Sequence, residues 1–320
     1  MTAAAPELSR ETDTARPLVE VRDLVTRYDL KSGLFGKVAG RVHAVEGVTF
    51  DIAPGETLAL VGESGCGKST VARSLMQLEK ITAGSIRYNG VELVGAERKT
   101  ILQFRREVQM VFQDPFSSLN PRMTIGRAMM DPMRVHGLGK SSDLRARAAD
   151  LLERVGLSGD HLDRFPHAFS GGQRQRICIA RALTLDPRLI IADEAVASLD
   201  VTIQAQVINL LIDLQRDLGI SILFISHDMA VVERMAHRVA VMYLGEIVEI
   251  GDRRSVFNNP RHPYTRKLLS TVPVADPNKR PKDRMLMTEE IPSAVRPPDF
   301  VPKKLPMRQV SPTHMVRETE

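Results

Sequence analysis

Tryptophan is absent from the 320 residues, tyrosine occurs four times and cysteine twice. The two cysteines, Cys66 and Cys178, do not stand at metal-ligand spacing, so disulfide frameworks and zinc ribbons are unsupported and a reducing compartment fits. No apolar run approaches the roughly 18 to 20 residues that a membrane span needs. The N-terminal MTAAAPELSRETDTARP has no apolar centre of the signal-peptide type. The expectation is a chain that neither crosses a membrane nor is exported. The net charge of +5 is mild, and it comes without a basic tract or interleaved aromatics, so nucleic acid is not expected as a partner. What remains, with 43% hydrophobic residues, is material for one large globular domain or two modest ones.

The stretch that organises the chain is GESGCGKST, directly after the apolar run ETLALV. It fits G-x-x-x-x-G-K-[ST], a loop whose glycines let consecutive backbone N–H groups wrap a pyrophosphate. Its members are Gly62, Glu63, Ser64, Gly65, Cys66, Gly67, Lys68, Ser69 and Thr70. Lys68 would neutralise the β/γ-phosphates and Ser69 would offer a hydroxyl to Mg²⁺. A helix opening at Lys68 would aim its positive end at the same charge.

Read in order, residues 1–17 are polar and expected to be unordered. Residues 18–25 and 42–52 alternate as strands, with KSGLFGKVAG between them as a loop. Tyr28, just beyond the first strand, could stack on an adenine ring or be an ordinary strand-end tyrosine. Residues 68–78 read as a helix with Val71, Leu75 and Leu78 on its apolar face, and AGSIRYNGVEL as a hairpin around Asn89-Gly90. Strand-type sequence at 108–112 ends at Gln113, an amide that could ligate Mg²⁺ or simply face solvent.

From 125 to 185 the pattern is helical throughout, with Leu144, Ala148, Leu151, Leu152 and Val155 on one face, and reads as a helical subdomain inserted in the fold. Its last helix begins at Ser170, Gly171, Gly172 and Gln173, a second glycine-rich helix start suited to the outer face of a γ-phosphate or to a plain N-cap. LIIA, at 189–192, suits a strand buried on both faces and ends in Asp193 and Glu194. Beside a phosphate loop, Asp193 can hold Mg²⁺ through its water shell and Glu194 can polarise the attacking water. Asp200 precedes a helix over 201–218, striped by Ile203, Val207, Leu210, Leu211, Leu214 and Leu218, and can cap it. A buried strand over 221–225 ends at Ser-His-Asp, where His227 could sense a γ-phosphate. A hairpin around Leu244-Gly245 closes the core.

GESGCGKST, the Gln113 loop, FSGGQRQR, LIIADEA, SLD and SHD stand in the order and spacing of the nucleotide-binding domain of ABC transporters, which the chain resembles over about 19–251. SGGQ between the two Walker motifs is the specific element. The resemblance implies an α/β P-loop NTPase with a RecA-like core, an antiparallel β subdomain and an inserted helical subdomain over about 114–185. It also implies ATP and Mg²⁺ as cofactors. In that scheme Tyr28 is the aromatic A-loop and Gln113 the Q-loop. Asp193 and Glu194 are Walker B and the catalytic base, Asp200 is the D-loop and His227 the switch histidine. Ser170 to Gln173 would close on ATP held by an opposing subunit, so the site would be shared between two chains.

The flanks KSGLFGKVAGRVHAVEGVTF and FNNPRHPYTRKLLSTVPVADP resemble the ATPase subunits of oligopeptide and dipeptide permeases, of the second, F-type. That resemblance implies an ATPase powering an importer for peptides or a related small solute. It would lie peripherally on the cytoplasmic face of the inner membrane. Its partners would be a second ABC ATPase subunit (a hetero-dimer, with a homo-dimer as the alternative), two transmembrane permease subunits and, indirectly, an extracytoplasmic solute-binding protein. The signature here begins with Phe169 where Leu is usual, and DEAVASLD replaces the commoner DEPVSALD. The tail lacks the cysteines that ligate an iron–sulfur cluster in some relatives, so no cluster is expected. From Pro260 onward stand 11 of the 19 prolines, which favours an extended, loosely packed region over 252–320. The rival reading is a soluble ABC ATPase acting on ribosomes or nucleic acid. The single cassette and absent cysteine ligands speak against it.

Overall fold

The computed structural model describes residues 16–32, 37–270, 294–303 and 305–319. The expected unordered terminus thus lies, but for Arg16 and Pro17, outside the described residues. In chain order the elements begin with β1 (Val19–Ser32), β2 (Lys37–Ile52), β3 (Thr57–Val61), α1 (Lys68–Leu75), β4 (Ala83–Tyr88) and β5 (Val91–Glu92). Next come α2 (Arg98–Glu107), β6 (Val108–Val111), α3 (Pro115–Ser118), α4 (Ile125–Val135), α5 (Ser141–Arg154), α6 (Gly171–Leu183), β7 (Leu189–Asp193) and α7 (Val201–Leu218). Then follow β8 (Ser221–Ser226), α8 (Met229–Met235), β9 (Arg238–Tyr243), β10 (Glu246–Asp252), α9 (Arg253–Asn258) and α10 (Pro263–Ser270). Three short strands end the series: β11 (Val295–Arg296), β12 (Met307–Ser311) and β13 (His314–Arg317).

The chain divides into two compact units. The first takes Pro54–Glu56 and Glu97–Leu223; the second takes Thr57–Ala96 with the described parts of Asp13–Ala53 and Phe224–Glu320. In the first unit β6 and β7 pair in parallel, Val108 opposite Leu189. β7 is buried along its whole length, the state expected of a continuous apolar run. Each fully buried Leu or Ile contributes roughly 1.5–3 kcal/mol. The Ser221 N–H donates to the Arg188 carbonyl (2.9 Å) and the Ile222 N–H to the Glu56 carbonyl (2.8 Å), and β8 then carries the chain into the second unit.

Helices fill the rest of the first unit. Leu144, Ala148, Leu151, Leu152 and Val155 are buried together, as their spacing requires. The helical pattern is not continuous from 125 to 185, however. Gly156 at φ 77° ends the α5 path, and 3₁₀ turns at Gly159–Asp163 and Pro166–Ala168 bridge to α6. Along α7 the buried positions are Val207, Ile208, Leu211 and Leu214. Leu218 is 41% exposed, because the helix ends there on Gly219 in the left-handed conformation.

The second unit holds an antiparallel sheet ordered β11-β2-β1-β4-β5. β1 and β2 extend into the expected KSGLFGKVAG loop, with Ser32 opposite Lys37; residues 33–36 are outside the described set. The pairing takes in Gly40, which stands opposite Leu30. The Asn89-Gly90 turn has φ of 46° and 77°, the pair of left-handed conformations that a two-residue hairpin demands. α1 stops before Leu78, which is 51% exposed, since Gln77 turns left-handed at φ 53°. β3 pairs in parallel with β9, and β9 pairs antiparallel with β10.

The tail departs most from its expectation. Pro306 and Pro312 stand just outside β12, whose own residues are free to pair. β12 pairs with β13 and β13 with β10, Glu249 opposite Val316. His314 is 2% exposed, so within the described residues β12 and β13 form a strand pair that continues the sheet from β10, while residues 271–293 lie outside the described set.

Candidate functional site

In the second unit the all-buried β3 delivers the chain to Gly62. A Cβ at Gly62 (φ +153°) would lie 2.2 Å from the Met242 carbonyl oxygen, and one at Gly67 (φ +109°) would lie 2.1 Å from the Ala44 carbonyl oxygen. Neighbouring backbone therefore demands both glycines. Gly67 is the N-cap of α1 and provides no side-chain cap, and the positive end of the helix dipole lies at this loop. Lys68 is 4% exposed; its Nζ donates to the carbonyls of Gly62 (2.9 Å) and Glu63 (2.8 Å). The Gly245 N–H donates to the Cys66 carbonyl (3.0 Å), and the Glu63 N–H donates to Tyr264 Oη (2.9 Å). Both carboxylate oxygens of Glu63 are buried without a hydrogen-bond partner among the described residues.

Tyr28 lies half-buried on β1. Burial raises its pKa, the neighbouring Thr70 hydroxyl lowers it and Glu79 raises it. The A-loop candidate thus lies in the electrostatic neighbourhood of Thr70, the last residue of the phosphate loop. His227 is exposed just past β8, and Asp228 caps α8 by accepting from the Ala230 and Val231 N–H groups. Cys66 and Cys178 are buried thiols; desolvation pushes Cys178 up to about 11, which removes it from thiolate chemistry at neutral pH.

The first unit carries the other candidates. Ser170 caps α6 in a reciprocal box: its Oγ accepts the Gln173 N–H (3.3 Å), and the Ser170 N–H donates to Gln173 Oε1 (3.0 Å). Gly171 is nearly unconstrained by neighbours, whereas a Cβ at Gly172 would stand 2.3 Å from Ile203 Cγ2. The second glycine of SGGQ is therefore a packing requirement where α6 crosses α7. Asp200 caps α7 by accepting the Ile203 N–H (3.0 Å). Gln113 is exposed beyond β6, and its carbonyl accepts from Ser198 Oγ (3.4 Å), which joins the Gln113 segment to the SLD turn. The Arg174 guanidinium stands 4.1 Å over the Phe116 ring, joining α6 to the same segment. Asp193 ends β7 at 6% exposure. Glu194 follows with φ 48°, a left-handed conformation that costs a non-glycine residue about 1–2 kcal/mol.

Sequence reading missed two constraints on this machinery. One is Tyr264, whose HPYT segment was read only as a family mark. The other is the set of carbonyls, at Met242 and Ala44, that press on the loop glycines. The first carried a signal, a tyrosine in a chain with four; the second carried none, because backbone contacts leave no side-chain pattern.

A buried strand, a glycine loop and a helix headed by lysine, together with SGGQ opening a second helix, define an ATP-binding cassette. Comparison with known proteins agrees. The sequence profile described as "ABC transporter" matches residues 45–197, and "Oligopeptide/dipeptide transporter, C-terminal region" matches residues 248–299. The glutathione import ATP-binding protein GsiA of Pectobacterium atrosepticum is 54% identical over 302 residues, 94% of this chain and 48% of the relative. The chain thus spans about half the length of the curated relatives it matches. Among solved structures, cbiO1 from Clostridium perfringens, part of the ABC transporter complex cbiONQ, superposes with a TM-score of 0.64 at 29% identity, covering 76% of this chain and 91% of that one. The cassette MJ0796, a dimer in a post-hydrolysis state bound to ADP and Pi, gives 0.65 at 26% identity, covering 74% and 99%. The chain belongs to the ABC transporter family, in its oligopeptide/dipeptide transporter branch.

Proposed function

We propose that this chain binds and hydrolyses ATP and that the cycle powers an importer for short peptides or a related small solute. The observation that carries the reading is the loop over 62–67. Two of its glycines are dictated by backbone contacts, and it leads straight into α1, which opens at Lys68 with no side-chain cap. Such a loop is built to receive phosphate oxygens. Tyr28 stacks on the adenine, while Lys68 and the loop amides take the phosphates.

Mg²⁺ takes oxygen ligands, and the Ser69 hydroxyl, the Gln113 amide oxygen and the buried Asp193 carboxylate are oxygen donors of that kind. When bound, the ion neutralises charge on the β- and γ-phosphates. Glu194 accepts a proton from the attacking water, and its left-handed backbone is the sort of strain that a functional position retains. Ser170, Gly171, Gly172 and Gln173 face the γ-phosphate of ATP held by an opposing ATPase, Asp200 acts across the same contact, and His227 with Gln113 senses hydrolysis. ATP then draws two cassettes together, and hydrolysis releases them.

Among the described residues no helix is long and apolar enough to cross a membrane. On the oligopeptide/dipeptide transporter likeness, the reading assigns the translocation path to two permease subunits, with this chain on their cytoplasmic face beside a second ATPase. Relatives named for glutathione import make a short thiol-bearing peptide the first cargo to test. Affinity purification of the chain from native membranes should recover two permease subunits and a related ATPase. Recovery with ribosomes or nucleic acid instead would remove the transporter from the reading and leave an ATPase.

A further inference from the structure

The phosphate loop is held from behind by the region that follows the cassette. Tyr264, in the first turn of α10, is 7% exposed, and its hydroxyl oxygen accepts the Glu63 N–H at 2.9 Å. The ring packs on Tyr243, centroids 4.3 Å apart and planes tilted by 34°, at the end of β9 and next to the turn whose Gly245 N–H binds the Cys66 carbonyl. Burial pushes the Tyr264 phenol far above its ordinary range, so at neutral pH it is an uncharged hydroxyl. The Glu63 carbonyl meanwhile accepts from Lys68 Nζ. The peptide groups on both sides of the Glu63 Cα are therefore gripped, one by the tail and one by the loop lysine.

Tyr264 is itself anchored. Its N–H donates to His262 Nδ1 (3.2 Å). The Arg261 and His262 N–H groups donate to the two oxygens of Glu249 on β10 (2.8 and 2.9 Å). His314 Nε2 of β13 meets the same carboxylate at 2.7 Å. Glu249 is 0% exposed, and a fully buried carboxylate is tolerated because three donors satisfy it. A line of hydrogen bonds thus runs from the last strand, through Glu249 and HPYT, to a backbone amide of the phosphate loop.

We propose that Tyr264 is a positioning residue for the phosphate loop: its hydroxyl fixes the Glu63 peptide plane, so the C-terminal region sets the loop's affinity for nucleotide. The proposal rests on reading residues 62–70 as an ATP-binding loop. A loop that binds through its amides works only when they are pre-aimed, and losing one neutral hydrogen bond that aims them weakens binding by about 2- to 10-fold.

The test uses the full chain with Tyr264→Phe, which keeps the ring on Tyr243 and removes only the acceptor. Calorimetric titration with Mg-ATP and steady-state ATPase assays should give Kd and KM for ATP raised about 2- to 10-fold, with kcat within about twofold of wild type. A purely structural tyrosine would lower the nucleotide-free Tm and leave Kd and KM unchanged, and that result overturns the proposal. Amide hydrogen exchange provides a readout independent of ATP. The Glu63 amide should be protected in wild type and exchange faster in the variant; an unprotected Glu63 amide in wild type also overturns it. If wild type binds no ATP, the reading of the loop fails, and the exchange experiment still judges the Tyr264 contact.

Discussion

Lys68 is the residue whose local bonds say most about what the loop awaits. Its ammonium is buried, with loop carbonyls at 2.8–2.9 Å, an arrangement that holds a cation at the N-terminus of α1. Lys68→Ala should therefore abolish ATP binding or hydrolysis while the fold persists. Normal turnover in that variant, measured by phosphate release, would refute the loop's assignment. Gly172 carries a different kind of necessity. A methyl group there would meet Ile203 Cγ2 at 2.3 Å, and overpacking of that sort costs about 1–3 kcal/mol. Gly172→Ala should lower stability by that amount in denaturant titration, and the double variant with Ile203→Ala should recover part of the loss. Strictly additive losses would show that the two positions do not press on each other.

At the level of the element, α7 joins a structural and a proposed functional role in one side chain. Asp200 accepts the Ile203 N–H, and removing such a cap costs about 1 kcal/mol. Asn caps as well as Asp, so the two substitutions separate the roles. Asp200→Ala should lose about 1 kcal/mol and Asp200→Asn almost none, by thermal melts. If Asp200 also acts across the contact between ATPases, Asp200→Asn should keep its stability and lose ATPase activity. Unchanged activity in the Asn variant would reduce Asp200 to a cap. α6 shows the same doubling, since the serine and glutamine of SGGQ complete a capping box with the groups proposed to meet a γ-phosphate.

For the whole molecule, the cycle predicts assembly. With Glu194→Gln the proposed base is lost while the nucleotide contacts stay, so turnover should fall at least ~10²-fold. Mg-ATP should then hold the chain in a dimer, with itself or with its partner ATPase. Light scattering with and without Mg-ATP reads this directly, and a monomer at saturating ATP would sink the closure mechanism. The whole-chain view also alters the standing of the tail. Its prolines promised looseness, yet β13 lies on β10 and His314 meets Glu249.

Much of this was legible in order along the chain, because strand period, helix period and turn chemistry are local. The phosphate loop, the Ser170 cap, the Asp200 cap, the Asn89-Gly90 hairpin and the buried strand ending in Asp193 all follow from residues within a few positions of one another. Where local reading failed, distant backbone was responsible. β1 and β2 run into the segment expected as a loop by pairing with each other, Leu30 opposite Gly40. Which glycine of SGGQ is indispensable, and which tyrosine holds the phosphate loop, depend on contacts with Ile203 and Glu63, 31 and 201 positions away. The sequence by itself determined that an ATP-binding cassette of the ABC transporter type is present. Tertiary structure decided how that loop is held, since a hydrogen bond between residues two hundred apart leaves no period, spacing or composition to read.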